Sequence, residues 1–292
     1  MCVDLREANK SLPDERGVFP YPMDIYNTIK GKRVFSACDA QSGFFQIRTT
    51  ARLQKRLRMV TCIGTFAYLC LPMGYKNAPY LFSKLSQEVL GCALNKTLFN
   101  FIDDYLVATE GGMIDHLTAL EDLFQRCERH GIVLRLAKCH FGFPSVTFLG
   151  NVINAQGLAP DPKKVEAIAN FPRPADTGDI SRFIGMAQFS EKYIYKFAEQ
   201  ASLLNGLKRK GHIVERDWTE AHTVAFQKIK KALQEAPVLR HPDWSKPFRL
   251  SVDTSEVAIG AVIAQEFEDG VHPVLFYSRG LKDCERRWTA CE

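Results

Sequence analysis

The sequence has no apolar run approaching the roughly 18 residues that a membrane-spanning helix needs. Its N-terminus, Met1-Cys2-Val3-Asp4-Leu5-Arg6, lacks the charged and apolar zones of a signal peptide. A cytosolic or nuclear protein is therefore the default expectation. There is no internal repeat and no low-complexity tract, which sets aside solenoid, collagen-like and disordered chains. The nine cysteines, at 2, 38, 62, 70, 92, 127, 139, 284 and 291, contain no Cys-x-x-Cys pair and no zinc-like pairing with histidine. Cys139-His140 is the one tempting pair, and two adjacent residues rarely chelate a metal alone. The cysteines read as ordinary core thiols. Large charge excess is missing too: the net charge is +5, and residues 160–231 hold 13 Lys and Arg against 9 Asp and Glu, so four of the five charges lie there. Such a stretch fits phosphates, and it equally fits solvated helix faces.

What is present is a globular chain. Its 292 residues, 46% apolar, suffice for a sizeable core and for about two domains of roughly 150 residues. Short apolar runs with β-branched or aromatic residues (34–38, 59–63, 66–70, 98–102) predict strands in the first half. Between them Pro79 opens a helix with Leu81, Phe82, Leu85, Val89 and Leu90 on one face. Asp115 is the expected cap of a helix carrying Leu117, Leu120, Leu123, Phe124 and Cys127, stopped by Gly131. Residues 146–153 predict another strand. After Gly157 the texture turns helical: one helix starts at Asp161-Pro162 and runs to Phe171, a second carries Ile180, Phe183, Ile184 and Ala187, and Thr219 caps a third. Strand patterning returns at 248–252, 258–264 and 273–277. The fold class expected is α+β, with boundaries near 155 and 246.

Phe101-Ile102-Asp103-Asp104-Tyr105-Leu106-Val107 sets two acids between apolar strand flanks. An Asp-Asp step fits a tight hairpin turn, and taken alone it reads as a solvated one. Two adjacent anions repel, so a rigid pair calls for a divalent cation with oxygen ligands. A further strand, Val34 to Cys38, ends in Asp39. If it lies beside the hairpin, three carboxylates can surround one or two Mg²⁺ ions.

Three ordered motifs make the pattern specific. Phe101-Ile102-Asp103-Asp104 resembles the aromatic-x-Asp-Asp signature of reverse transcriptases. Phe35 to Ile47, with Asp39 and Gly43-Phe44, resembles their first catalytic motif, and Leu71-Pro72-Met73-Gly74-Tyr75-Lys76-Asn77-Ala78-Pro79 resembles their nucleotide- and template-binding loop and helix. Order and spacing are most similar to gypsy-type LTR retrotransposons. The resemblance implies a right-hand polymerase of fingers, palm and thumb, with a connection and an RNase H-like part. Residues 1–155 would be fingers and palm, 156–245 thumb and connection, and 246–292 the start of the RNase H-like domain.

It also implies roles. Asp39, Asp103 and Asp104 would hold two Mg²⁺, with Mn²⁺ able to substitute, and Lys138 would be a general acid near the pyrophosphate. Phe44 would be the steric gate against a ribonucleotide 2′-hydroxyl, and Met73 and Gly74 would bind the nucleotide. Lys76, Asn77, Pro79 and Arg6, the last on a fingers strand, would meet the template. Phe148-Leu149-Gly150 would form the primer-grip hairpin, and Asp253, in Phe248 to Ser255, would be the first metal-binding acid of the RNase H-like domain. Each has a plainer reading alone: a core Phe after a glycine turn, a surface lysine, a buried strand. The partners implied are an RNA or DNA template, a DNA or RNA primer, dNTPs and the rest of a Pol polyprotein (protease, RNase H remainder, integrase), with no membrane. The location implied is cytoplasmic, in virus-like particles or nucleoprotein complexes, or nuclear.

Two departures from the family pattern bear on activity. The Lys and Arg that clamp the triphosphate lie upstream of the matching segment, so the fingers are expected to be N-terminally truncated. Arg52, Lys55, Arg56 and Arg58, on the expected fingers hairpin, are candidates for template phosphates or a solvated face. At the other end, Glu292 falls just short of the second RNase H acid, so nuclease activity is expected only in a longer parent. Met73 stands where related enzymes carry Gln or Phe. A non-catalytic, nucleic-acid-binding remnant of a retroelement stays open beside the polymerase. A template-independent nucleotidyltransferase has no specific support.

Overall fold

The computed structural model describes residues 4–13, 15, 21–209 and 212–288. The chain divides into two compact units, Met1–Leu149 and Gly150–Glu292.

In the first unit the helices are α1 (Arg6–Lys10), α2 (Pro22–Thr28), α3 (Ala51–Arg56), α4 (Ala78–Leu90) and α5 (Met113–His130). The strands are β1 (Val34–Asp39), β2 (Arg58–Thr61), β3 (Gly64–Ala67), β4 (Leu98–Phe101), β5 (Asp104–Thr109), β6 (His140–Phe143) and β7 (Ser145–Phe148). β4, β5, β1 and β6 form an antiparallel sheet in that order. β5 is apolar and buried through Tyr105, Leu106, Val107 and Ala108 because it lies inside the sheet and both its faces are covered.

Helices α4 and α5 supply one cover. Phe82, Val89 and Leu90 of α4 and Leu120, Leu123 and Cys127 of α5 pack against Cys38, Leu98, Tyr105 and Val107. Each such side chain contributes about 1.5–3 kcal/mol by leaving water. On α5 the buried positions 116, 120, 123 and 127 follow a helical stripe, and Gly131 ends the helix at φ 70. A smaller cluster, Leu5, Leu12, Leu57, Leu71, Tyr75 and Ala78, holds the loop before α4.

The second unit contains β8 (Asn151–Asn154), β9 (Gly157–Pro160), α6 (Pro162–Ala169), α7 (Thr177–Gln188), α8 (Phe197–Gly206), α9 (Val214–Asp217), α10 (Glu220–Gln234), β10 (Leu239–Arg240), β11 (Arg249–Thr254), β12 (Ala258–Phe267) and β13 (Gly270–Gly280). β8, β9 and β10 pair in order, and β11, β12 and β13 form an antiparallel sheet with β11 exposed at its edge. Phe171, Phe183 and Phe226 stack at 5.5 and 4.5 Å between ring centroids, tying the segment that follows α6 to α7 and α10.

Several expectations need correction. The tight turn is Ile102-Asp103, not Asp103-Asp104: Phe101 pairs with Asp104, so the second acid already belongs to β5. Ile102 adopts φ 57, a left-handed conformation rare for a β-branched residue, because a two-residue hairpin needs positive φ there. The run 146–153 is two strands. Leu149 (φ 47) and Gly150 (φ 68) turn the chain between them. α5 starts at Met113 with Gly112 as its cap, and Asp115 sits in the first turn, where its charge still suits the helix dipole.

Arg6 lies on helix α1, not a strand; Arg-Glu-Ala-Asn-Lys are mostly good helix formers, and Lys10 pairs with Glu7 at 2.8 Å. For the same reason Arg52, Lys55 and Arg56 stand on α3, capped by Thr50, and only Arg58 is on the hairpin. Cys38 and Cys127 are core thiols, but Cys62, Cys92 and Cys284 are exposed, each in or beside a turn.

Candidate active site

The register of β1 on β5 brings the acids together. Asp39 at the end of β1 is the direct partner of Asp104 at the start of β5. Residues opposite each other in antiparallel strands share a face, with Cβ atoms about 5 Å apart. Asp103 occupies the adjoining turn, whose carbonyl accepts the Ala40 N–H at 2.9 Å. Like charges directly opposite are destabilising, and burial removes the water that would screen them. Burial first, then the charges of Asp103 and Asp39, push the Asp104 carboxyl up to about 6, with Lys138 opposing. Among the described residues no three His, Cys, Asp or Glu side chains stand close enough to hold a metal ion. The three carboxylates do not converge on one point as they stand; the register brings them to the same end of the sheet with Lys138 beside them, and all-oxygen donors are of the kind a hard divalent cation takes.

Lys138 is that lysine. Its Nζ lies 3.3 Å from Asp39 Oδ2, at the end of the short 3₁₀ turn Leu136–Lys138. The segment before it is zipped onto the end of β1. Arg135 N–H donates to the Asp39 carbonyl at 2.8 Å, and Gln41 N–H to Val133 at 2.8 Å. Gln46 imitates a further strand: its Nε2 donates to Gln41 and Val133 carbonyls, and its Oε1 accepts from Val133 N–H. Residue reading did not single out Gln46, because its role exists only once Val133 lies beside it.

Phe44 sits in the 3₁₀ turn Gly43–Gln46 and meets Phe82 of α4 edge-on, centroids 6.2 Å apart. Gly43 passes close enough to the hairpin that a Cβ there would lie 3.2 Å from Asp103 Cβ. Met73, half exposed, and Gly74 (φ 86) lie on the loop leading into α4. Asn9 clamps this loop: its Nδ2 donates to the Gly74 carbonyl at 2.8 Å, and its Oδ1 accepts from Lys76 N–H at 3.0 Å. Asn77 is buried and donates to the Pro13 carbonyl, and Pro79 stands in the first turn of α4.

Phe148 is buried and its carbonyl accepts from Tyr26 OH at 3.2 Å. Arg6 is exposed and grips Asp4 at 2.6 Å. In the second unit, Asp253 on β11 is ion-paired with Lys196, which holds its carboxyl below the usual range. Glu292 lies outside the described residues.

The family model for reverse transcriptase (RNA-dependent DNA polymerase) matches residues 1–153, and that for the RNase H-like domain found in reverse transcriptase matches residues 218–292. The whole chain is 30% identical, over 297 residues, to the retrovirus-related Pol polyprotein from transposon 297 of Drosophila melanogaster, covering 27% of it. It is 28% identical over 295 residues to the transposon Tf2-3 polyprotein of Schizosaccharomyces pombe, covering 22%. The chain thus spans about a quarter of the length of these relatives. Its fold is similar to that of the foamy viral protease-reverse transcriptase solved in complex with RNA/DNA hybrid (TM-score 0.86, 23% identity, 99% of this chain and 39% of that one). It is equally similar to the dRH form of the foamy viral protein solved in complex with double-stranded DNA (TM-score 0.86, 23% identity, 99% and 50% coverage). The architecture is therefore that of a reverse-transcriptase polymerase, and the chain belongs to the reverse transcriptase (RNA-dependent DNA polymerase) family.

Proposed function

We propose that this chain is the polymerase segment of a retrotransposon polyprotein and extends a primer 3′-hydroxyl with deoxynucleotides on an RNA or DNA template. The observation that carries the reading is the register that sets Asp39 against Asp104, with Asp103 in the adjoining turn and Lys138 on Asp39. These three acids would hold two Mg²⁺ ions, or Mn²⁺ in their place. When bound, such ions supply activation of the hydroxyl and charge neutralisation at the leaving pyrophosphate. Lys138 would give a proton to the leaving group. Phe44, fixed by Phe82, would exclude a ribose 2′-hydroxyl beside Met73 and Gly74. Lys76, Asn77 and Pro79, with Arg6, would meet template, and Phe148, Leu149 and Gly150 the primer end. Asp253 would be a metal-binding acid of the RNase H-like part.

The test is extension of a labelled DNA primer on an RNA template by the full chain with dNTPs and Mg²⁺. Extension that falls at least about a hundredfold in Asp103→Asn supports the reading. Extension untouched by that change would sink the metal-site assignment. Salt-dependent binding of primer–template with no extension in Mg²⁺ or Mn²⁺ would favour the non-catalytic remnant instead.

A further inference from the structure

His116 belongs to the buried stripe of α5, yet it is a histidine with no solvent exposure. Its ring joins two strands. Nε2 lies 2.6 Å from Ser36 Oγ of β1, and Nδ1 lies 2.9 Å from Thr109 Oγ1 at the end of β5. Ser36 Oγ also accepts the Gly142 N–H of β6 at 2.9 Å.

Ser36 Oγ, which accepts the Gly142 N–H, shares one hydrogen bond with Nε2, and Thr109 Oγ1 shares one with Nδ1, so a neutral ring satisfies both hydroxyls in either tautomer. Burial, which disfavours the charged ring, keeps this neutral form.

Gly142 is where the sheet is irregular. β6 pairs with β1 at Phe35↔Phe143 and Ala37↔His140, so three steps on β6 oppose two on β1. That is a bulge, and Gly142 takes φ 69 within it. A bulge withdraws one amide from the ladder, and a buried amide without an acceptor is costly. Ser36 supplies the acceptor and His116 holds Ser36. β6 begins at His140, two residues after Lys138.

Lys138 therefore hangs between two anchors, the Gln46–Val133 zip before it and the bulge after it. We infer that the relay His116–Ser36–Gly142 positions Lys138: by fixing the bulge it sets the turn that lays the lysine on Asp39. The catalytic consequence rests on the polymerase reading, whereas the geometric one does not.

A carbodiimide joins an amine to a carboxylate only when the two touch, so the Lys138–Asp39 cross-link measured by mass spectrometry reads this placement without catalysis. The Lys196–Asp253 pair of the second unit is the internal control. In the full chain, Ser36→Ala and His116→Phe are expected to lower the Lys138–Asp39 yield at least about fivefold. The control cross-link should hold, and amide exchange at Gly142 should quicken. Ser36→Thr, which keeps the hydroxyl, should restore the yield. An unchanged yield in folded Ser36→Ala overturns the inference.

In primer extension, Ser36→Ala should slow kcat about tenfold with little change in the nucleotide KM. It should cost nothing further in a Lys138→Ala background; an equal loss in both backgrounds also overturns the inference. If the wild-type chain fails to extend primers, the polymerase reading falls and the cross-link alone decides the positioning role.

Discussion

At Asp104 two demands collide: the register sets its carboxylate across from Asp39, and partial burial strips the screening water. With its pKa pushed from 3.8 up to about 6, the folded chain keeps a proton that the unfolded chain has already lost. Stability from the neutral acid is full below pH 3.8 and disappears as pH rises through about 6. Discounted for solvent screening, the loss is about 2 kcal/mol. Asp104→Asn should therefore raise the melting temperature at pH 7.5 in EDTA, and the gap should close toward pH 4. A variant that melts no higher than wild type at pH 7.5 would refute this account. At this scale the sequence was most legible for acids, whose motif flanks are local. It was least legible for His116 and Gln46. A histidine at helical spacing from Leu120 reads as one more stripe position, and its partners are hydroxyls on strands whose register no local pattern reveals.

Among the elements, the hairpin and the turn after β1 matter most to each other. Gly43 has no positive φ to require glycine; what requires it is space, since a Cβ would meet Asp103 Cβ at 3.2 Å and Phe82 at 3.4 Å. The helix beneath cannot yield easily, because Phe82 is fully buried. The mobile party is the two-residue turn carrying Asp103. Gly43→Ala should thus cost about 1–3 kcal/mol in a thermal or urea melt and still leave a folded chain. Primer extension should nevertheless slow about tenfold or more, because a few tenths of an ångström at an acid matter to in-line transfer. Wild-type extension rates in a stably folded Gly43→Ala would show that the contact does not position Asp103. The existence of β4 and β5 was readable from apolar runs, whereas the turn's placement was not. Asp-Asp looks like turn chemistry, but cross-strand pairing pulled Asp104 into β5 and left Ile102 to take the strained conformation.

For the whole molecule, the acids are unevenly shared between the two units. Asp39, Asp103 and Asp104 all fall in Met1–Leu149, and Gly150–Glu292 contributes Asp253, already neutralised by Lys196. The sequence showed a change of texture near 155 because strands with alternating burial give way to helices with 3.6-residue stripes. The compact units part at Leu149-Gly150, inside what reads in the sequence as one continuous strand. A divalent cation that binds only the folded first unit stabilises it by mass action, roughly 2.7 kcal/mol at a hundredfold excess over Kd. Calorimetry of the full chain should accordingly show two transitions in EDTA. Saturating Mg²⁺ should lift one of them by roughly 5–10 °C and leave the other in place. Asp104→Asn should abolish that lift, and Asp253→Asn should not touch it. If Mg²⁺ moves both transitions equally, or moves the same one in Asp104→Asn, the ion is acting elsewhere than at the three carboxylates.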